Sequence, residues 1–275
     1  MYTDKISIAI PVYNRIEFFE EAIDSALNQT IKCEVIVVDN ASDTDYFQRI
    51  CARKGVQYFR SHKNVGMFNN WNRCFQLCKT DFLLILGDDD ILLNDYVKRF
   101  LESLHSYPNL TLFYTDFTIL DHETGNLVTH KHEFLFGNLT KQDILLHTRK
   151  KGISFPSICA TYRVGSFEGF YDEHHGANDW LWFYENLDKN NVVGVNSIGL
   201  KYRRHKSNDS RSKSNLSDLY LSVLYIYIVV IGSHSCLRTL RITTMFYAQA
   251  NEEYLRGLQV RSDKFAIFFR NRIER

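Results

Sequence analysis

Ile6-Ser7-Ile8-Ala9-Ile10-Pro11-Val12-Tyr13-Asn14 is the stretch on which the reading of this chain turns. A β-branched apolar run stopped by proline predicts a strand. Ile16, Phe19, Ile23 and Ala26 then recur at helical spacing, so strand, loop and helix follow in order. The unit repeats: an apolar strand from Val35 to Val38, a helix around Tyr46 to Ala52, a strand at Val56 to Phe59, a helix from about Met67 to Cys78 and a strand at Phe82 to Leu86. Strands apolar on both faces that alternate with helices predict an α/β fold, a mostly parallel central sheet flanked by helices. In such sheets ligands sit at the carboxyl ends of the strands. The loops there are Pro11-Val12-Tyr13-Asn14, Asp39-Asn40-Ala41-Ser42-Asp43, His62-Lys63-Asn64-Val65-Gly66 and Gly87-Asp88-Asp89-Asp90.

After Tyr107-Pro108 the alternation weakens. Strands are expected at Thr111 to Thr115, Phe117 to Leu120 and Ile198 to Tyr202, a hairpin turn at 121–126 and a helix from about Asn178 to Leu187. Lys201 to Asn215 is polar, basic and serine-rich and reads as a mobile loop or linker. From about Leu216 the pattern is helical. The expected division is a catalytic domain over 1–210, with a ligand-binding half at 1–107 and an acceptor half at 108–210, and a helical C-terminal extension over 211–275.

The chain has 275 residues, 45% of them hydrophobic, enough for one large core. Its 33 basic and 32 acidic residues nearly cancel, so no global field gathers nucleic acid, and no nucleic-acid partner is expected. The six cysteines are scattered through apolar stretches and read as reduced core thiols of a cytoplasmic protein. Cys74 and Cys78 are four apart on one helix, but no second pair follows at zinc-site spacing. The N-terminus carries no secretory signal. The apolar run from Leu219 to Ile231 is broken by Ser222 and falls short of the ~18 residues of a membrane span.

Three carboxylates directly after a buried strand, Asp88, Asp89 and Asp90, repel one another. A hard divalent cation shared with diphosphate oxygens would offset that cost, while a solvated acidic turn capping the next helix is the plainer reading. Asp39 closes its strand either as an acceptor for a base or ribose or as a turn residue beside Asn40, Ser42 and Asp43. No glycine-rich phosphate loop is present, which leaves a metal as the clamp for a diphosphate.

Taken in order, Pro11-Val12-Tyr13-Asn14-Arg15, Val37-Val38-Asp39-Asn40-Ala41-Ser42-Asp43, Asn64-Val65-Gly66, Asn70-Trp71-Asn72 and Leu86-Gly87-Asp88-Asp89-Asp90 resemble the motifs of family 2 glycosyltransferases of the GT-A fold, in a bacterial form. The resemblance runs from about Ile6 to Ser210. It implies that Pro11, Tyr13, Asp39 and Asn64 line a nucleoside pocket, with Asn14, Asn40, Gly66 and Asn72 on the same donor. Asp88, Asp89 and Asp90 would supply the metal and diphosphate contacts to Mn²⁺ or Mg²⁺. Gly87 stands where the family often has an aspartate, so which two of the three carboxylates touch the ion stays open.

Asn178-Asp179-Trp180 resembles the family's segment that holds the catalytic base, which maps to Asp179; the alternative is a helix cap. His174 and His175 are left unassigned. Tyr202-Arg203-Arg204-His205 resembles the family's Tyr-Arg-x-His ending. Arg203 and Arg204 would grip the leaving diphosphate and His205 would join either the metal shell or the diphosphate contacts, unless this is a solvated basic loop. The resemblance implies a nucleotide diphosphate sugar as donor, UDP-sugar preferred, and a saccharide hydroxyl as acceptor, on a lipid carrier in O-antigen or capsule assembly. The basic and aromatic tail, with Arg256, Arg261, Lys264, Phe265, Phe268 and Phe269, either contacts the inner membrane surface or packs as a helical subdomain. Two other readings remain: a non-catalytic nucleotide-sugar-binding or scaffold protein, and a nucleotidyl or phosphoryl transferase, which the missing phosphate loop disfavours.

Overall fold

A computed structural model of the chain describes residues 2–128, 134–152, 155–170, 178–206, 208 and 226. The chain divides into two compact units, and every described residue except Ile226 belongs to the first, Met1–Glu173 with Asn178–Asn208. His174, His175 and the expected C-terminal helices lie outside the described residues.

The elements are β1 (Tyr2–Val12), α1 (Phe19–Leu27), β2 (Lys32–Asp39), α2 (Tyr46–Lys54), β3 (Gln57–Arg60), α3 (Met67–Leu77), β4 (Phe82–Ile85), β5 (Ile91–Leu92), α4 (Tyr96–Ser106), β6 (Leu112–Asp121), β7 (Leu127–Val128), β8 (Gly137–Leu139), α5 (Lys141–Lys151), β9 (Ala160–Arg163), α6 (Asn178–Glu185) and β10 (Val192–Arg204). One sheet carries all the strands in the order β3-β2-β1-β4-β9-β6-β10-β5, with β7 beside β6 and β8 beside β10.

Its first part is parallel: β1 lies between β2 and β4, with Ile8 opposite Val35 on one side and Leu84 on the other. The inward side chains of these strands, Ile6, Ile8, Ile10, Val35, Val37, Phe82 and Leu84, are buried in one core with Phe19, Ile23 and Phe47 from α1 and α2. Each such large apolar side chain contributes about 1.5–3 kcal/mol on burial. Pro11 does not end β1. It faces Val38 within the ladder, where a proline is tolerated near the end of a strand because one lost donor is all it costs.

Beyond β4 the sheet is mixed rather than mostly parallel. β9 runs antiparallel to both β4 and β6, and β10 runs parallel to β6. The two strands expected around Asp116 are one continuous β6. There the partner strand absorbs the irregularity, with register shifts in β10 between Val195 and Leu200. β10 is also longer than expected. Lys201 to Arg204 are strand residues paired with Thr118 to Asp121, which corrects the reading of this segment as loop.

Candidate active site

The carboxyl ends of β1, β2 and β4 meet at one edge, and the acidic loop follows β4 there. Asp88, Asp89 and Asp90 are turned inward, only 5%, 6% and 3% exposed. Buried like charges need counter-charges, and Arg15, from the loop after β1, supplies one. Its Nη2 pairs with Asp88, its Nε donates to Asp88 Oδ1 at 3.1 Å and its Nη1 lies 3.1 Å from Asp89 Oδ2. Asp89 Oδ2 also meets His205 Nε2 at 2.8 Å and accepts from Asn208 Nδ2 at 3.2 Å. Asp90 Oδ1 accepts the Arg203 backbone N–H at 2.9 Å. Burial first, and then the charge of Asp89, hold the Asp90 carboxyl well above the usual carboxylate range. Gly87 has a steric reason to be glycine. A Cβ at that position would stand 2.9 Å from Asp89 Oδ1 and 2.9 Å from Asp90 Oδ2, so any side chain there would have to displace those carboxylate oxygens from their present places.

β10 closes the loop from the far side. The Arg203 guanidinium is buried; it donates from Nε to Asp89 O at 2.8 Å, pairs with Glu21 on α1 and lies 4.7 Å from the Phe18 ring centroid. The arginine expected to grip phosphate is therefore engaged in holding the acidic loop against α1. The His205 ring also packs on Phe18, at 4.8 Å between centroids. Arg204 points along the other side of the strand, near Asp121. Arg15, Asn208, Phe18 and Glu21 had no role assigned from the sequence. Arg15 stands inside a quoted motif; the others carry no local signal, because their role depends on β10 returning to this edge.

On the β2 side, Asp39 is fully buried. Its Oδ1 accepts from the Ser42 backbone N–H at 2.9 Å and the Ser42 hydroxyl at 2.7 Å, its Oδ2 accepts from the Tyr58 hydroxyl, and Arg60 Nε is 3.8 Å away. The expected pocket residues form a linked rim. Asn14 Nδ2 donates to Asp43 Oδ2 at 3.1 Å while its Oδ1 accepts the Asp43 N–H at 2.8 Å. Asn40 Nδ2 donates to Asn64 Oδ1 at 2.8 Å and Asn40 Oδ1 accepts the Val65 N–H at 2.9 Å. Gly66, at φ +86°, sends its N–H to Asn64 Oδ1. Asn14 and Ala41 hold left-handed backbone, φ 58° and 64°, a conformation that non-glycine residues keep only when their surroundings enforce it. Tyr13 is 45% exposed at this rim. Asn72 instead spends its amide on the Phe170 backbone, donating to O at 2.9 Å and accepting from N at 2.7 Å.

Asp179 sits in the first turn of α6. Its Oδ2 accepts from the hydroxyl of Ser157, in a 3₁₀ turn at Ser157–Cys159. Burial raises the pKa of its carboxyl, against hydrogen bonds from Ser157 and from backbone N–H groups of the helix start. Next to it Trp180 Nε1 donates to Phe155 O at 3.1 Å, and Phe155 stacks on Phe183 at 3.9 Å.

The pattern that describes Glycosyl transferase family 2 matches residues 7–172, which contain the acidic loop and the whole rim. The chain belongs to glycosyl transferase family 2. It is 27% identical over 221 residues to chondroitin synthase of Escherichia coli, covering 77% of this chain and 30% of that one. It is 33% identical over 98 residues to an abequosyltransferase of Salmonella typhimurium, 33% of this chain and 29% of that one. The chain thus spans about a third of the length of these curated relatives. Among solved structures, Staphylococcus aureus TarS 1-349 in complex with UDP superposes with a TM-score of 0.68 at 15% identity, covering 90% of this chain and 76% of that one. The same protein in complex with UDP-GlcNAc gives 0.66 at 16% identity, covering 82% and 67%. The likeness shows the GT-A fold, and the family match makes this a glycosyltransferase family domain.

A divalent cation has donors of the right chemistry here, since carboxylates with an imidazole suit manganese and carboxylates suit magnesium. The Arg15 guanidinium lies against the same Asp88 and Asp89 oxygens that such an ion would use. Among the described residues no group of three or more ligating side chains forms a ready cage.

Proposed function

We propose that this glycosyltransferase moves a sugar from a nucleotide diphosphate sugar, by preference a UDP-sugar, to a hydroxyl of a saccharide acceptor on a lipid carrier, by metal-dependent inverting displacement. The observation that carries the reading is the inward-turned acidic loop, beside the Asp39 rim, with Arg15 paired to Asp88 and Asp89 and the His205 ring in hydrogen-bond contact with Asp89. Asp39 ends β2 and Asp88 lies in the loop after β4, strands that flank β1 and are about 10 Å apart at two strand spacings. That span suits a nucleoside at one end and its diphosphate at the other. Pro11, Tyr13, Asn14, Asp39, Asn40, Asn64 and Gly66 shape the nucleoside side.

Asp89 and His205, with Asp88 or Asp90, are the residues that would hold Mn²⁺ or Mg²⁺. Such an ion, when bound, neutralises charge on the departing diphosphate. Arg203 positions the loop and Asn72 positions α3, while Arg204, beside Asp121 on the other side of β10, would reach diphosphate oxygens only by turning toward the loop. Asp179 takes the acceptor proton as the hydroxyl attacks the anomeric carbon. Its burial-raised pKa makes it a stronger base than an exposed carboxylate.

Among the described residues no helix is long and apolar enough to cross a membrane. The basic, aromatic tail is the segment we assign to contact with the inner face of the membrane, from the cytoplasmic side.

The test is a panel of nucleotide sugars screened by thermal shift with and without Mn²⁺. A ligand bound by the native state alone raises the melting temperature. A metal-dependent rise with a UDP-sugar, followed by sugar transfer or donor hydrolysis, is the expected result. No shift with any of them would sink the reading. Binding without any turnover would favour the scaffold alternative.

A further inference from the structure

The Asp179 carboxyl has two ways to satisfy itself. It can fold back onto the free N–H groups of its own helix, as capping residues do, or it can face the cleft. In the structure one oxygen is taken from outside the helix. Ser157 Oγ donates to Asp179 Oδ2, from a 3₁₀ turn that is itself fixed: the Cys159 N–H donates to Pro156 O at 3.1 Å, and Trp180 Nε1 donates to Phe155 O at 3.1 Å. The stacked rings of Phe155 and Phe183 pin the same two segments together. The Ser157 hydroxyl is therefore delivered by a rigid support to one oxygen of one carboxylate.

We propose that Ser157 is a positioning residue for sugar transfer, its hydroxyl fixing the Asp179 carboxylate so that Oδ1 takes the acceptor's proton. This rests on the assignment of Asp179 as the base. In the step, the acceptor oxygen forms its bond to the anomeric carbon as its proton passes to Asp179 Oδ1. The bond from that carbon to the phosphate oxygen breaks, and its electron pair leaves with the nucleoside diphosphate. A hydroxyl donating to the charged carboxylate also favours that form, so Ser157 opposes the burial that raises the Asp179 pKa. Among the described residues the groups facing Asp179 are Ser157 from the 3₁₀ turn, the Asp179 and Trp180 N–H groups of α6 and Tyr162 from β9. Tyr162 is a phenol whose pKa burial raises well above the usual value, with Asp179 adding to the rise. It stays neutral across the working range and adds no charge of its own.

The experiment measures kcat/KM against pH for the wild type, Ser157→Ala, Ser157→Thr, Ser157→Cys and Asp179→Asn. The reaction is Mn²⁺-dependent turnover of UDP-glucose or UDP-N-acetylglucosamine, with water or a saccharide taking the sugar. Ser157→Ala should lower kcat about tenfold, leave the donor KM within about twofold and move the acidic limb up by about one pH unit, while Ser157→Thr restores both. Ser157→Cys keeps the size with a weaker donor, and its limb moves in the same direction by less. That variant decides the matter if the alanine protein does not fold. If Asp179→Asn is inactive but the limb stays in place in the alanine and cysteine variants, Ser157 only ties α6 to its neighbour and the proposal is overturned. If Asp179→Asn keeps full activity, or neither donor is turned over by the wild type, the underlying reading fails instead.

Discussion

Arg15 is the residue with the widest reach in this site, because it puts a full positive charge against both Asp88 and Asp89. Removing one partner of a largely buried pair leaves the other uncompensated, a cost of about 3–5 kcal/mol when burial is complete and less here, where the arginine is 26% exposed. Arg15→Gln should lower the melting temperature in the presence of a chelator, and Mn²⁺ should recover part of the loss. A chelated melting temperature equal to the wild type's would show that the carboxylates need no counter-charge. Gly87→Ala is expected to cost about 1–3 kcal/mol through the contact of its Cβ with Asp89 and Asp90, read as a lower urea midpoint. Asp179→Asn should reduce transfer by about 10²–10⁴-fold, the usual weight of a general base, with UDP affinity kept in a titration. Loss of UDP affinity instead would place Asp179 in the donor pocket.

Elements differed in how plainly the sequence announced them. β1, β2 and β4 are apolar runs marked in the sequence by a following proline, aspartate or glycine, although β1 itself runs past Pro11 to Val12, and α1 to α3 repeat their buried positions at helical spacing. All six were therefore legible from local pattern. β5 and β9 were not: a two-residue and a four-residue strand carry no period, and both exist because longer strands run beside them. α5 has a weak apolar stripe and starts on a Thr140–Asp143 capping box that passed unnoticed. For the site, the position of the acidic loop, the Asp39 rim and the start of α6 could be read from strand ends and motifs. What covers the loop could not, since Arg203 was taken for part of a basic loop, when pairing with Leu120 and burial against Phe18 make it strand. At this scale α3 depends on Asn72, which makes both hydrogen bonds to Phe170. Asn72→Ala should cost about 1–3 kcal/mol, seen as a lower urea midpoint at unchanged slope. An unchanged midpoint would mean that the aromatic cluster of Phe75, Phe167 and Trp182 suffices alone.

Across the whole molecule, the two expected halves of the catalytic domain share one sheet. β9, from the second half, pairs with β4 from the first, and β10 returns to β5. They should open as a single cooperative unit. Hydrogen exchange of Val37 in β2 and Val193 in β10 should report the same free energy of global opening, and a gap of several kcal/mol between them would show two independent halves. The sheet also has ends. β3 closes one side with four residues, of which Gln57 and Arg60 are exposed, and β5 closes the other with two residues set antiparallel. Among the described residues neither border offers a long, flat row of unused amides. The two ends of the described sheet path thus give a second molecule little backbone on which to extend the sheet.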